Sequence, residues 1–515
     1  MSFEIIYVLL CLAGMVATLI SDRMRPGMVL FSVVVLFLCA GILTPKECLE
    51  GFSNKGMITV ALLFLVSEGI RKSGVLEQLI FGLLPKQKCT VEGGNLRVLP
   101  VIAAISAFLN NTPVVVIFAP MIKNWARKMK LPPTKFLIPI SYATIMGGMC
   151  TLIGTSTNLV VDGMVQEAGY RGFTIFELGK VGIFIAVVGI AYLVFFSKKL
   201  LPDNSAKDDD IEDAEGAESG VRVEAVLSSR FPGNGKTLRR FDFYRHYGAN
   251  VRSLHRNGKR LTGNWMEVPL CENDTLVLET DGTFIPTWGD SRVFLMLSVM
   301  DAEPEMGRRK RYFAMVLLLM MIIGATVGEL PFVEAAVPGM KLDMFFFVCV
   351  TTVIMAWTGM FSPKKYTKFI SWDVLITIAC AFAISRGMSN SGFAGVIADY
   401  IIGMTDSLGP YALLAVIYVI TNLFTELITN NAAAALSFPI ALAVAEKLGV
   451  DPTPFFVVIC MAASAAFSTP IGYQTNLIVQ GVGGYKFTDF VKVGLPLNLI
   501  VFLLSVFLIP LFWAF

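Results

Sequence analysis

Histidine is almost missing from this chain: two in 515 residues, His246 and His255. There is no His-Glu-x-x-His, no Gly-x-Ser-x-Gly elbow and no pair of aspartates inside an apolar run. Zinc-assisted hydrolysis, a nucleophilic serine and an intramembrane aspartyl dyad therefore each lack their parts, so the chain does not read as an enzyme. Nine cysteines are scattered, mostly within apolar runs, and none forms a Cys-x-x-Cys pair. They read as small core residues, with neither a disulfide framework nor a metal site indicated. Charge is scarce as well: 16% of residues are charged and the net charge is +3, which gives no case for a nucleic-acid partner.

Apolar side chains fill the space that charge leaves. They make up 55% of the chain, and mean hydropathy is +0.68. Crossing a hydrocarbon layer of ~30 Å takes roughly 20 apolar residues. Candidate spans fall at 3–20, 26–43, 57–70, 177–197, 313–330, 344–361, 373–385, 410–424 and 490–514. The first lacks a basic start and a small-residue cleavage motif, so it reads as a retained span and not as a signal peptide. The lipid bilayer is the expected surrounding, and the expected place is a cell membrane, crossed many times.

One stretch interrupts the pattern. Residues 201–220 carry eight acids, among them Asp203, Asp208 and Glu218, against Lys207 alone, and read as a solvated linker. Residues 221–290 read as a small α/β domain, with strands expected at Val223–Leu227, Asn250–His255 and Asp274–Glu279. Membrane sequence resumes by residue 311, after a basic run of Arg308, Arg309, Lys310 and Arg311. The division is thus a first membrane part over 1–200, the linker, the insert, and a second membrane part over 311–515.

Basic loops fix sidedness. Arg23 and Arg25, then Arg71 to Arg97, then Lys123 to Lys130, Arg308 to Arg311 and Lys364 to Lys368 are expected on the cytoplasmic side. Threading the spans between them puts both termini outside and residues 201–310 in the cytoplasm. Corresponding spans then run in opposite directions. The expected fold is an all-α polytopic membrane protein, an inverted repeat of two halves of five spans each plus a re-entrant hairpin, with the α/β insert between them.

A phrase is written once in each half. The first copy is Asn110-Asn111-Thr112-Pro113, then Pro133-Thr134, then Gly154-Thr155-Ser156-Thr157-Asn158-Leu159. The second is Thr429-Asn430-Asn431-Ala432, then Pro452-Thr453, then Gly472-Tyr473-Gln474-Thr475-Asn476-Leu477. From Asn111 to Asn158 is 47 positions and from Asn430 to Asn476 is 46. Amides at membrane depth need partners, and two matched copies point past ordinary helix–helix bonding to a transporter built from a duplicated unit. Pro113, Gly147, Gly148 and Gly154 mark backbone that stops being helical. An interrupted helix frees carbonyls suited to Na+ at one end, and at the other frees amides and a positive dipole suited to an anion.

These motifs resemble those of the divalent anion/sodium symporter family, the sodium-coupled sulfate and dicarboxylate carriers. That family has a Ser-Asn-Thr triplet at each of two hairpin tips and a Thr-Pro-Pro-Asn-like stretch in each broken helix. The resemblance implies two Na+ sites. One would use Ser106, Asn110, Asn111 and the Gly154 carbonyl; the other would use Thr425, Asn430 and the carbonyls of Ile428 and Gly472. It also implies that Asn110, Asn111, Thr112, Thr157, Asn158, Thr429, Asn430, Asn431, Thr475 and Asn476 face a divalent anion. Here Ser-Thr and Gln-Thr replace both Pro-Pro pairs, which is closer to the sulfate-carrying branch with regulatory domains. The insert resembles the C-terminal subdomain of potassium-conductance regulators (TrkA-C type), through Gly235 to Arg240, Tyr247 to Val251 and Glu272 to Leu276. That likeness implies a homodimer and a nucleotide ligand for the insert.

The expected function is uptake of sulfate or a similar oxyanion driven by inward Na+ movement, through an elevator-like or rocking motion. The alternatives are a succinate-like dicarboxylate symporter and a cation/proton antiporter using Glu426, an acid inside an apolar run. Glu68, beside Arg71 and Lys72, reads as a solvated pair, and Asp162 as a residue of the substrate path.

Overall fold

A computed structural model describes residues 3–21, 24–85, 89–203, 221–256, 259–261, 264–280, 284–288, 291, 293–299, 307–328, 330, 333, 340–405 and 409–515. Most of the acidic linker therefore lies outside the described residues. The first half contains α1 (Phe3–Ile20), α2 (Pro26–Cys39), α3 (Pro45–Glu50), α4 (Lys55–Ser73), α5 (Val75–Leu83), α6 (Val91–Ser106), α7 (Asn111–Lys128), α8 (Leu137–Gly148), α9 (Ser156–Glu167) and α10 (Gly179–Leu200). Two short helices, α11 (Phe243–Tyr247) and α12 (Phe284–Trp288), belong to the insert. The second half contains α13 (Arg308–Gly328), α14 (Met344–Trp357), α15 (Trp372–Asn390), α16 (Phe393–Thr405), α17 (Gly409–Leu427), α18 (Asn430–Leu448), α19 (Thr453–Ser464), α20 (Gln474–Gly483) and α21 (Phe487–Phe512). Eight helical segments are long and apolar enough to cross a membrane, so this is a multi-pass membrane protein.

The two membrane halves share one backbone pattern. Gly41 and Gly74 adopt left-handed φ of 74° and 69°, and Gly359 and Gly392, each 318 positions later, adopt 69° and 75°. These φ values suit glycine, which lacks the Cβ that penalises them. In each half the second glycine turns a long helix (α4, α15) into a shorter one (α5, α16) that the hydropathy pattern did not separate. Tertiary packing repeats too: α6 lies on α8 as α17 lies on α19. The halves also exchange elements. The segment after each helix break packs on the other half's hairpin arm, α9 on α18 and α20 on α7. Every residue of α8 is buried, and α18 is largely buried, because these helices are wrapped on all sides and are apolar or small all round.

The insert is a five-stranded antiparallel sheet in the order β3-β2-β4-β1-β5, with β1 Val221–Leu227, β2 Asn250–Arg256, β3 Lys259–Arg260, β4 Thr275–Thr280 and β5 Phe294–Val299. Because β5 pairs with β1, the sheet runs past the boundary expected at residue 290. An aromatic cluster of Phe231, Phe241, Phe243, Tyr247 and Phe294 fills its core. Val226 and Met296 leave that core and join the apolar core of the membrane part. The sheet therefore sits against the helices.

Candidate functional site

The hairpin of α6 and α7 turns at residues 107–110. Asn110 caps α7, its side-chain oxygen accepting from the Thr112 amide at 3.4 Å, and Pro113 falls in the first turn, where no intrahelical partner is lost. The same Asn110 lines a small cleft with Ser67, Phe108, Ile153 and Ser156. Of the other atoms expected around the first Na+, those of Ser106, Asn111 and Gly154 stand close together.

That cluster forms around Asn111. One amide position of Asn111 stands 2.8 Å from Ser106 Oγ, 3.3 Å from the Thr144 carbonyl and 3.2 Å from the Gly154 carbonyl. With nitrogen there, the amide donates to all three and its oxygen accepts from Tyr473 Oη at 2.5 Å. With oxygen there, it lies against three further oxygens. Glycine is required around it. A Cβ on Gly148 would stand 2.6 Å from the Asn111 amide, and one on Gly154 would stand 2.8 Å from Gly148 Cα and 2.9 Å from the Ser106 carbonyl.

The second half repeats the arrangement. Thr425 Oγ1 stands 2.8 Å from Asn430 Oδ1 and 2.6 Å from the Ala463 carbonyl, its one proton shared between the two acceptors. Ala463 lies 319 positions after Thr144, the same separation as Thr425 from Ser106 and Asn430 from Asn111. A Cβ on Gly472 would stand 2.8 Å from the Thr425 carbonyl. Ile428 lies at the hairpin tip between α17 and α18. The carbonyls of Thr144 and Ala463 were not foreseen from sequence. They are main-chain atoms of a Thr and an Ala, which carry no residue-type signal, although the 319 spacing would have paired them.

The breaks that carry Gly154 and Gly472 are braced alike. Asn158 Nδ2 donates to the carbonyls of Gly148 (3.3 Å) and Thr151 (2.9 Å), and Asn476 Nδ2 to those of Ala466 (2.8 Å) and Thr469 (3.1 Å). The Gly154 and Gly472 amides each donate at 3.1 Å to the hydroxyl three residues before them, Thr151 and Thr469. Buried non-helical backbone is tolerable at membrane depth only when it is satisfied in this way. The two asparagines thus place their amide nitrogens on the break itself, and Ser141 Oγ reaches both Thr475 Oγ1 (2.9 Å) and Asn476 Oδ1 (2.7 Å).

Four helix N-termini meet here. Tyr473, before α20, joins Asn111 at the start of α7 and Thr155 before α9 (3.2 Å). Asn431, in the first turn of α18, accepts from Ser156 Oγ (3.4 Å) and Thr157 Oγ1 (3.3 Å) of α9. The Thr429 hydroxyl is buried with no partner among the described residues. No hydrogen bond joins a Lys or Arg to these motif residues among those described. Positive potential here comes from free amides and helix dipoles.

Asp162 is buried on α9. Its carboxylate accepts from the Phe173 amide (2.6 Å) and Gln166 Nε2 (2.7 Å), fixing the chain after α9. Glu68 pairs with Arg71 (2.7 Å) and Lys72 (3.3 Å), and is itself buried although both cations reach solvent.

Apolar helices in two matching sets, joined through paired breaks and hairpins, define a membrane transporter. The chain belongs to the citrate transporter family, whose model matches residues 16–441 and 340–515. It is 29% identical to an uncharacterized transporter of Synechocystis over 567 aligned positions, covering 94% of this chain and 93% of that one. It is 23% identical to sodium/sulfate cotransporter 1 of Chlamydomonas reinhardtii, over 93% of this chain and 86% of the relative. In fold it is similar to the YdaH transporter of Alcanivorax borkumensis, with a TM-score of 0.57 at 12% identity over 95% of this chain and 98% of that one.

Proposed function

We propose that this protein couples inward Na+ movement to uptake of a divalent oxyanion such as sulfate. The observation that carries the reading is the Asn111 amide, which stands among Ser106 Oγ and the carbonyls of Thr144 and Gly154. When Na+ is bound, the amide turns its oxygen inward, and carbonyl, hydroxyl and amide oxygens form the hard-ligand shell such a cation takes. Thr425, Asn430, Ala463 and Gly472 form the matching second site. The anion lies between them, against the four helix N-termini, with Asn110, Thr112, Thr429 and Asn431 nearest. Asn158, Thr157, Thr475 and Asn476 support it from behind by holding the breaks.

The halves are inverted relative to one another across the membrane, with both termini outside and the insert in the cytoplasm; the alternation of basic loops supports this orientation. The choice of sulfate rests on the Ser/Thr-rich breaks and on similarity to relatives named as sodium/sulfate cotransporters. The family's own description, citrate transporter, favours a carboxylate as the second reading. Labelled sulfate and labelled succinate, each offered to proteoliposomes with and without an inward Na+ gradient, decide between them. Na+-dependent sulfate uptake is expected. Succinate uptake instead would transfer the reading to carboxylates, and flux of neither would end it.

A further inference from the structure

The two halves match in their hairpins and breaks, so a place where they differ in polarity stands out. Thr469 Oγ1 donates to the Glu426 carbonyl as Thr151 Oγ1 donates to that of Ala107, so Glu426 occupies the place of Ala107. Gly494 lies on the Phe467 carbonyl as Gly182 lies on that of Met149. Ser468 thus answers to Cys150, and Asn498, four residues after Gly494, to Ala186. An acid, a hydroxyl and an amide stand in the second half where the first has alanine, cysteine and alanine.

The three are bonded together. Glu426 Oε1 accepts from the Ser468 amide (2.8 Å) and from Asn498 Nδ2 (2.7 Å), and Asn498 Nδ2 also donates to Ser468 Oγ (2.7 Å). Two oxygens remain buried without a partner among the described residues, Glu426 Oε2 and Asn498 Oδ1. Asn498 is only 7% exposed and Glu426 is half-buried, and none of the ion pairs among the described residues involves Glu426. A carboxylate inside an apolar helix bundle with a free oxygen is costly unless a cation answers it. A proton would satisfy Oε2 alone and leave the amide oxygen orphaned, whereas turning the Asn498 amide over brings its oxygen to the side of Glu426 and Ser468, where one Na+ would meet carboxylate, amide and hydroxyl oxygens together. One carboxylate, with amide and hydroxyl oxygens beside it, suits a single positive charge.

We propose that Glu426, Asn498 and Ser468 form a further Na+ site, distinct from the two repeated ones and present in the second half alone. The proposal rests on the Na+-coupled reading above. Glu426 directly follows Thr425, a ligand of the second repeated site, and its carbonyl holds Thr469, which in turn holds the Gly472 amide. Occupancy of the new site is thereby tied to the geometry of the second one. Asn498 reaches it from α21, outside the hairpin, so the cation links the hairpin arm to a flanking helix.

Equilibrium binding of radioactive Na+ to the purified full-length protein tests this without any anion. Glu426→Gln is expected to bind one Na+ fewer per chain than the wild type. Asn498→Ala is expected to weaken one site about tenfold, the effect of losing one ligand to a charged group. The Na+ still bound by each variant reports that the rest of the protein is folded. Equal counts in wild type and Glu426→Gln overturn the proposal. Should Glu426→Gln bind none at all, Glu426→Asp decides: recovery of the full count with one weakened site supports the proposal, and recovery with every affinity unchanged overturns it. Because the count needs no substrate, a protein that carries neither sulfate nor succinate would sink the coupled-carrier reading and leave this one to be judged separately.

Discussion

Replacing Lys123 with methionine should loosen the insert from the membrane part. Lys123 lies on α7, twelve residues after Asn111, and its ammonium sits 2.5 Å from Glu224 Oε1 on β1. Both side chains are under a tenth exposed, at 9% and 8%, so the pair is shut away from water where the insert meets the helices. Nearby, Thr275 Oγ1 donates to the Gly481 carbonyl of α20 at 3.3 Å. A Cβ on Gly481 would come within 2.7 Å of Val226 Cγ1. Removing one partner of a buried ion pair leaves an uncompensated charge and typically costs about 3–5 kcal/mol, whereas replacing both with apolar groups is often neutral. At roughly 1.4 kcal/mol per decade, the single substitution raises the undocked fraction between a hundred- and a few-thousand-fold. Hydrogen exchange over β1, β4 and α20 reads that fraction directly. Lys123→Met should lose protection there, and Lys123→Met with Glu224→Met should regain most of it. Desolvation pushes the Glu224 carboxyl up, but the Lys123 ammonium outweighs it and holds the group below the usual carboxylate range. The carboxylate's contribution is therefore fully present above the ordinary carboxylate pKa and is lost as pH falls through the depressed value. Protection unchanged by Lys123→Met at neutral pH would refute the reasoning, since it would mean the pair is not desolvated.

Asn111→Ala or Asn430→Ala should abolish Na+-driven uptake in a protein that still folds, with thermal stability lowered because each hairpin loses the bonds of its amide; a variant that fails to fold would show that the amide serves only to bond the hairpin. Gly154→Ala puts a methyl 2.8 Å from the Gly148 backbone, so it should remove Na+ binding at the first repeated site and spare the second, as read by equilibrium Na+ binding. Tyr473→Phe removes the hydroxyl that joins Asn111 to Thr155; losing about 0.5–1.5 kcal/mol should weaken apparent Na+ affinity by roughly two- to tenfold, and an unchanged affinity would mean that hydroxyl does not orient Asn111. Asn158→Ala strips two carbonyls of their donor and should lower thermal stability by an amount equivalent to roughly 2–4 kcal/mol, with a matching loss for Asn476→Ala.

The parts of this protein that could be read from sequence are those where a side chain has to be of one kind. Asn111 and Asn430 stood out because an amide at membrane depth is costly, and their doubling survived as paired bonds to Ser106 and Thr425. The breaks were visible through Gly147, Gly148 and Gly154, which the packing allows no Cβ. Main-chain carbonyls left no such mark, so Thr144 and Ala463 escaped notice. Strand β5 escaped because its partner β1 lies some seventy residues earlier, beyond the reach of local alternation. Lys123 was read with the other basic residues as a mark of sidedness. The structure gives it a second task, because the loop side of a helix is also where a folded insert can press an acid against it. Asn158 and Asn476 read from sequence as facing the anion, and their nitrogens also hold the broken backbone. In a chain where helices stop inside the apolar layer, the residues that repair the break must sit beside those that bind the ligand. Sequence spacing cannot separate the two groups, whereas hydrogen-bond partners can. The same criterion sets Glu426 apart: its neighbours have the polarity of a site, and its counterpart in the first half has none.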